Sequence, residues 1–253
     1  MDGTYTVFFR FAQAGGTRAG QGGEENNMKN NIRAMSLGLA LLLLCLSLIS
    51  CGESCGKTDD RIFVIDDPAN IAVLREKLVS PASYTLTYLL VGVEAEGLRD
   101  YNVVRNGGNI VYRDTPFSES YEVIEETRVV VYQRVDDTFV PYNTYLPSEY
   151  EDIYAKGDKE SLETVRGYLD AKYWAWSDER CAFLATDLTV FSALGIEVSE
   201  MELSLAVKSC ELTGKGVITY GGERYDVHVT LAVTDIGATR ITLPSGISAS
   251  AEA

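Results

Sequence analysis

The residues able to do chemistry in this chain are few and do not converge. His228 is the only histidine. Within Tyr225–Val233 it alternates with Val227, Val229 and Leu231, so the period-two pattern sets it on the solvent side of a half-buried strand, beside Asp226 and Thr230. A Ser-His-Asp set would have to use that histidine, and no serine stands in a strand-turn-helix elbow. Paired acids occur at Asp59-Asp60, Asp66-Asp67, Glu125-Glu126 and Asp136-Asp137. Two carboxylates hydrolyse glycosides only where their surroundings drive their pKa values apart. These pairs fall at predicted element ends, where solvated turn acids are expected. No HExxH, phosphate-loop, CxxC or EF-hand pattern is present, so the sequence predicts no catalytic residue, no metal site and no cofactor.

Aromatic residues offer more. The chain has fifteen tyrosines and two tryptophans, and aromatic rings give a ligand site broad apolar faces with a polar tip. Trp174 and Trp176, two apart on a predicted strand beside a helix end, share one face and are the candidate rim of a ligand cavity. The alternative reading is that strand aromatics simply pack on the sheet. Among the five cysteines, Cys181 and Cys210 are the candidate disulfide pair in an oxidising compartment, with buried free thiols as the alternative.

Address is written more clearly than chemistry. Lys29 and Arg33 form a short positive head, followed by an apolar run from Ala34 to Ser50 and then Cys51-Gly52. A positive head, an apolar core and a small-residue exit describe a secretory signal peptide. The run falls slightly short of the roughly 20 residues a spanning helix needs. The exit Leu48-Ile49-Ser50-Cys51 resembles the lipobox of bacterial lipoproteins. That resemblance implies a diacylglycerol on the Cys51 sulfur, cleavage just before it, and an extracytoplasmic protein held in the cell envelope by its N-terminal lipid. At least two acyl chains are needed for stable anchoring. Signal peptides begin at a chain start, so Met28 is the expected initiator of residues 28–50. The glycine-rich residues 1–27 are then an over-extended reading frame.

The formal net charge is −15, and the part from Cys51 onward, with 18 basic and 34 acidic residues, carries −16. Phosphate backbones and anionic head groups repel such a chain, which argues against nucleic-acid partners and leaves the lipid as the membrane attachment. Residues 51–64 are polar and partly Gly/Ser and are expected to act as a tether. The length that remains is enough for one domain with a real core, over 65–244.

The elements that must position these residues follow in blocks. Ile71, Leu74 and Leu78 predict an amphipathic helix over 68–79 that starts at Asp67-Pro68 and stops at Ser80-Pro81. Alternating runs then predict strands at 84–91, 101–105, 110–113, 121–124, 129–133 and 138–142. Asn106-Gly107-Gly108-Asn109 makes a hairpin turn. Ser148–Glu151 has capping-box spacing, and Gly157 is expected to close that helix. A second helix is expected to start at Asp158 or Ser161 and to bury Leu162, Val165 and Leu169. A small hairpin spans 173–184, and Asp187 to Leu194 is a third helix with Gly195 behind it. Strands return at 201–207, 217–220, 225–233 and 240–243, and 245–253 is expected to be a disordered tail. Strands and helices in blocks argue an α+β fold with an antiparallel sheet.

The segment Val233–Pro244, whose Gly237, Thr239, Ile241 and Pro244 match a Gly-Thr-x-Ile-x-x-Pro-type run with one extra residue between Gly237 and Thr239, resembles the closing strand pair of LolA-like or LppX-like lipoproteins. That resemblance implies a half-barrel: a strongly curved antiparallel sheet wrapped around a few helices, with a cavity that in some members holds a lipid or other small apolar ligand. It carries no catalytic residues. The expected function is therefore a lipid-anchored binding protein. The alternatives are a surface interaction or structural lipoprotein without a small ligand and, further off, an extracytoplasmic hydrolase.

Overall fold

The computed structural model describes residues 63–92 and 98–247. Cys51, the signal segment and most of the tether lie outside them. Eleven strands form one antiparallel sheet in the order β6-β5-β4-β3-β2-β1-β11-β10-β9-β8-β7, open at both edges. The first half is a meander: β1 (Tyr84–Gly92), β2 (Arg99–Asn106), β3 (Ile110–Thr115), β4 (Ser118–Ile124), β5 (Val129–Val135) and β6 (Thr138–Tyr145). The chain then crosses to the far edge and returns through β7 (Trp174–Ser177), β8 (Ala182–Ala185), β9 (Glu197–Ala206), β10 (Ser209–Tyr220) and β11 (Glu223–Thr234), which pairs with β1. The α+β expectation is met, with helices covering one face of an antiparallel sheet.

Side-chain alternation sets which face is covered. Along β1 buried and half-buried residues alternate without a break, because successive side chains point to opposite faces. Register then aligns the inward residues into rows across the sheet. Leu205, Cys210, Val233, Leu86, Val104 and Arg113 follow one another from β9 to β3. The row is apolar until its last member. Helix α1 (Ala69–Lys77) seats Ile71 and Leu74 in this core, and the Asp67 carboxylate accepts from Ala69 N–H at 2.8 Å to start it.

The crossover departs from expectation. Gly157 does not end a helix. Instead α2 (Pro147–Tyr150), a π-helical segment (Glu151–Ala155) and α3 (Lys156–Tyr168) run on as one continuous rod. Glu149, rather than Glu151, reaches back to the Leu146 N–H, at 2.9 Å. Asp158 is not a cap but a buried ion-pair partner of Arg113, and that contact, with Leu162 and Val165 buried below, carries the helix past its glycine. The third predicted helix is 3₁₀ over Leu188–Leu194, capped by Asp187 and ended by Gly195 at φ 72° as its signals indicated.

Two strands also differ. β10 begins at Ser209, well before the expected 217, because Gly214 and Gly216 interrupt the apolar pattern while remaining in the ladder. Both are required by close approach of β9: a Cβ on Gly214 would lie 2.7 Å from Glu200 O, and one on Gly216 2.6 Å from Glu197 O. The other difference is that 240–243 is not a strand. After β11 the chain turns at Asp235 and Gly237, both at positive φ. It is then tied to the start of β1, with Gly237 N–H donating to Ser83 O at 2.7 Å and Thr239 N–H to Ser83 Oγ at 3.1 Å. The segment from Gly237 to Pro244 thus follows β11 as a strap tied to the start of β1, not as a strand pair. Of the expected tail, residues 245–247 are ordered, with Ile247 buried and its N–H donating to Pro244 O, and 248–253 lie outside the described residues.

Gly216→Ala should cost about 1–3 kcal/mol, because its methyl has backbone rather than a flexible side chain to displace. Urea unfolding of the two proteins measures the difference.

Candidate functional site

Between the helical layer and the inner face of β1–β5 lies a pocket of about 470 Å³, within the size range of small-molecule sites. Its walls come from several places in the chain. Leu78 to Pro81 follow α1, Tyr84 opens β1, Val111 and Val129 stand on β3 and β5, Ile124 ends β4, and Tyr150, Ala155 and Leu162 come from the crossover. These side chains continue the apolar core outward. The polar lining includes the half-buried Asn106, the buried Asp158 and the exposed Glu151, Lys159 and Glu163. Lys159 is paired with Glu151. The π segment supplies Glu151 and Ala155 to this wall, and such widened turns recur at functional sites.

Beside the pocket a buried ionic network joins helix to sheet. Arg113 donates through Nε to Glu122 Oε1 at 2.5 Å, and through its two terminal nitrogens to both oxygens of Asp158 at 2.7 and 2.6 Å. Tyr150 OH donates to the other Glu122 oxygen at 2.5 Å. The Arg113 side chain is 4 % exposed and that of Glu122 0 %, and the Tyr154 ring lies over the guanidinium at 5.4 Å. Register makes the sheet half of this possible. Arg113 stands opposite Ser120 and Val111 opposite Glu122, so arginine and glutamate meet as diagonal neighbours on one face. Burial works to lower the Arg113 pKa, but the charges of Glu122 and Asp158 outweigh it and hold the guanidinium well above its usual range. Tyr150 is pushed up by burial and then by Glu122. Tyr84 is pushed up to about 12 by burial and then by Asp158. At neutral pH both phenols are therefore neutral donors.

The tryptophans are elsewhere. Trp174 and Trp176 sit on the edge strand β7, and neither lines the pocket. The expected rim is not part of this pocket, and the rings make other contacts, Trp174 buried and Trp176 half-buried. Trp174 is buried edge-on against Phe191 and donates through Nε1 to Tyr168 O at 2.8 Å. Trp176 packs on Phe183 and donates to Asp178 Oδ1. Cys181 and Cys210 are free thiols, the first exposed and the second buried. Phe183 pairs with Leu203, and Cys210 with Leu205. Continuing that register sets Cys181 two strands from Cys210, about 10 Å at the usual strand spacing and beyond the roughly 7 Å a bridge can span. Burial pushes the Cys210 thiol up to about 12, so it is an inert core residue. His228 is exposed on β11, outside the core as its pattern indicated. Among the described residues no cluster of His, Cys, Asp or Glu is arranged to hold a metal ion.

Neither a protein-family model nor a curated protein sequence matches this chain.

Replacing Arg113 by Met should destabilise the protein by about 3–5 kcal/mol, because two buried carboxylates lose their counter-charge. The triple variant Arg113→Met/Glu122→Leu/Asp158→Leu should regain most of that loss. Urea unfolding of both reads the two numbers.

Proposed function

We propose that this chain is a lipid-anchored cell-envelope protein that holds an amphiphile in the pocket between its helices and its sheet. The observation that carries the reading is the pocket itself, with apolar walls shared with the core and exposed polar groups in its lining. An acyl chain lies against Leu78, Val111, Val129 and Leu162, and its head meets Glu151, Lys159 and Glu163. Burial of each methylene contributes about 0.8 kcal/mol, so a medium-length chain is held without any charged anchor.

Connectivity supports a sheet curved into a half-barrel. The crossover joins the two edge strands, and ten strand spacings of about 4.8 Å would separate those edges by about 48 Å in a flat sheet. Helical residues 147–168 reach about 33 Å, and 169–173 at most about 17 Å more. The edge strands β6 and β7 also run parallel to one another, so the link must travel along the strands as well as across them. A flat sheet leaves no slack for that path, whereas a curved one brings its edges together and wraps the helices.

The signal segment and Cys51 support the address. A Cys51→Ala protein should lose palmitate labelling and leave the membrane fraction. Retention in the membrane through an uncleaved 34–50 segment would overturn the lipoprotein reading.

Native mass spectrometry of undelipidated protein should find a co-purifying amphiphile. Val129→Trp, which fills the pocket from a fully buried position, should lower its occupancy about tenfold or more, equivalent to about 1.4 kcal/mol, with the fold intact by circular dichroism. Absence of any extractable ligand from the native protein would favour an interaction protein with no small-molecule cargo.

A further inference from the structure

The ionic network beside the pocket is complete in hydrogen bonds but not in charge. Arg113 brings one positive charge to it, and Glu122 and Asp158 bring two carboxylates. Among the described residues no other basic side chain is paired with either acid. The surplus is held away from water, with the Glu122 side chain 0 % exposed and that of Asp158 11 %. Uncompensated charge at that depth is costly, and an uncharged side chain in place of either acid would avoid the cost.

Of the three residues only Asp158 lines the pocket. Two phenols in the same lining, Tyr84 and Tyr150, sense the balance. Burial is the first influence on both. Next, Asp158 raises Tyr84 by more than Arg113 lowers it, and Glu122 outweighs Arg113 in the same way at Tyr150. The field there is negative even with a guanidinium in the network. The rest of the lining does not reverse it. Glu151 and Glu163 face a single lysine, and no arginine or histidine lines the pocket. That lysine, Lys159, is 67 % exposed and already paired with Glu151, so it does not serve Asp158. The two tyrosine rings suit the same kind of ligand, because aromatic faces attract ammonium groups.

We propose that the amphiphile of this pocket is cationic, an ammonium group on an apolar tail, whose charge lies beside Asp158 and balances the network. The proposal rests on the pocket reading and adds the class of head group to it. The tail supplies most of the affinity, and the head decides which amphiphile is kept. Fatty acids and phosphate-headed anionic lipids are turned away, because their charge would add to the surplus.

Octylammonium, octanol and octanoate share one tail and differ in head charge at neutral pH. Each is titrated calorimetrically into the full chain at equal ionic strength, well below micelle formation. Octylammonium should bind about tenfold more tightly than octanol, equivalent to about 1.4 kcal/mol, and octanoate more weakly than octanol by a similar factor. The chain is acidic overall, so its surface also attracts octylammonium. Val129→Trp keeps every surface acid and should weaken all three ligands alike. Glu122 lies outside the lining, so Glu122→Gln changes the charge of the network without touching the ligand. It should bring octylammonium down to the affinity of octanol. If octanol binds the native chain and octylammonium binds no better, the cationic head is overturned and the pocket stands. If none of the three binds, both fall. Octylammonium binding that ignores Val129→Trp is surface attraction and overturns the proposal as well. Should Glu122→Gln misfold, the ranking of the three ligands on the native chain, with and without Val129→Trp, decides.

Discussion

Arg113 fixes how the helical layer sits on the sheet. Taking one cation and two carboxylates out of water costs several kcal/mol per ion, and only complete pairing offsets it. Here pairing is complete: the guanidinium is engaged on all three nitrogens, and Glu122 uses both oxygens. Such a set adds little net stability over an apolar one, but it is satisfied at one helix position only. Sliding the rod by one turn, about 5.4 Å, would part Asp158 from Arg113 and Tyr150 from Glu122 together. The network therefore specifies register more than it stabilises. It also gives the continuous helix a reason to run through Gly157.

The sheet around this contact is uneven. On β9, β10, β11 and β1 the inward residues are almost all apolar, whereas β2 to β4 turn Asn102, Arg113, Ser120 and Glu122 inward. The apolar half supplies most of the core, and the polar half supplies placement. Its two edges are protected differently. β7 is only four residues long, and β6 carries Pro141 in an otherwise open strand, both recognised ways to discourage edge-to-edge pairing.

The sequence was most legible where one period held over a whole element. Tyr84 to Tyr88 alternate in β1 before the apolar run Leu89-Leu90-Val91, and Ile71, Leu74 and Leu78 mark one face of α1, so both were readable from pattern alone. Reading failed where tertiary contact overrode a local signal. Gly157 is a helix stop by composition, yet Asp158 beside it is pinned from below. Gly214 and Gly216 look like a break in a strand, yet they keep pairing because β9 comes too close for a Cβ. The site was harder still. Arg113 shares its face with Val111 two positions earlier, and Glu122 with Ile124 two positions later, so period two already aimed both charges inward. Their partner Asp158 lies 45 residues from Arg113, and no local pattern links them. Trp174 and Trp176 misled because aromatic residues signal both a ligand rim and a packed core, and only Phe191 and Phe183 distinguish the two.

The pocket lies where these constraints meet. An apolar side chain can shift to fill a gap, but the Arg113 network holds α3 at the distance its hydrogen bonds require, so the helix cannot settle further onto β3 and β5. Above the sheet at that point the rod presents Ala155, and the π segment widens the turn that carries it. Below it β3 and β5 offer Val111 and Val129, too short to reach across. Close packing is the rule in protein interiors, and here three separate features oppose it at one place. A space kept open by a satisfied ionic brace, short side chains on both layers and a widened helical turn is one the fold maintains rather than one it failed to fill.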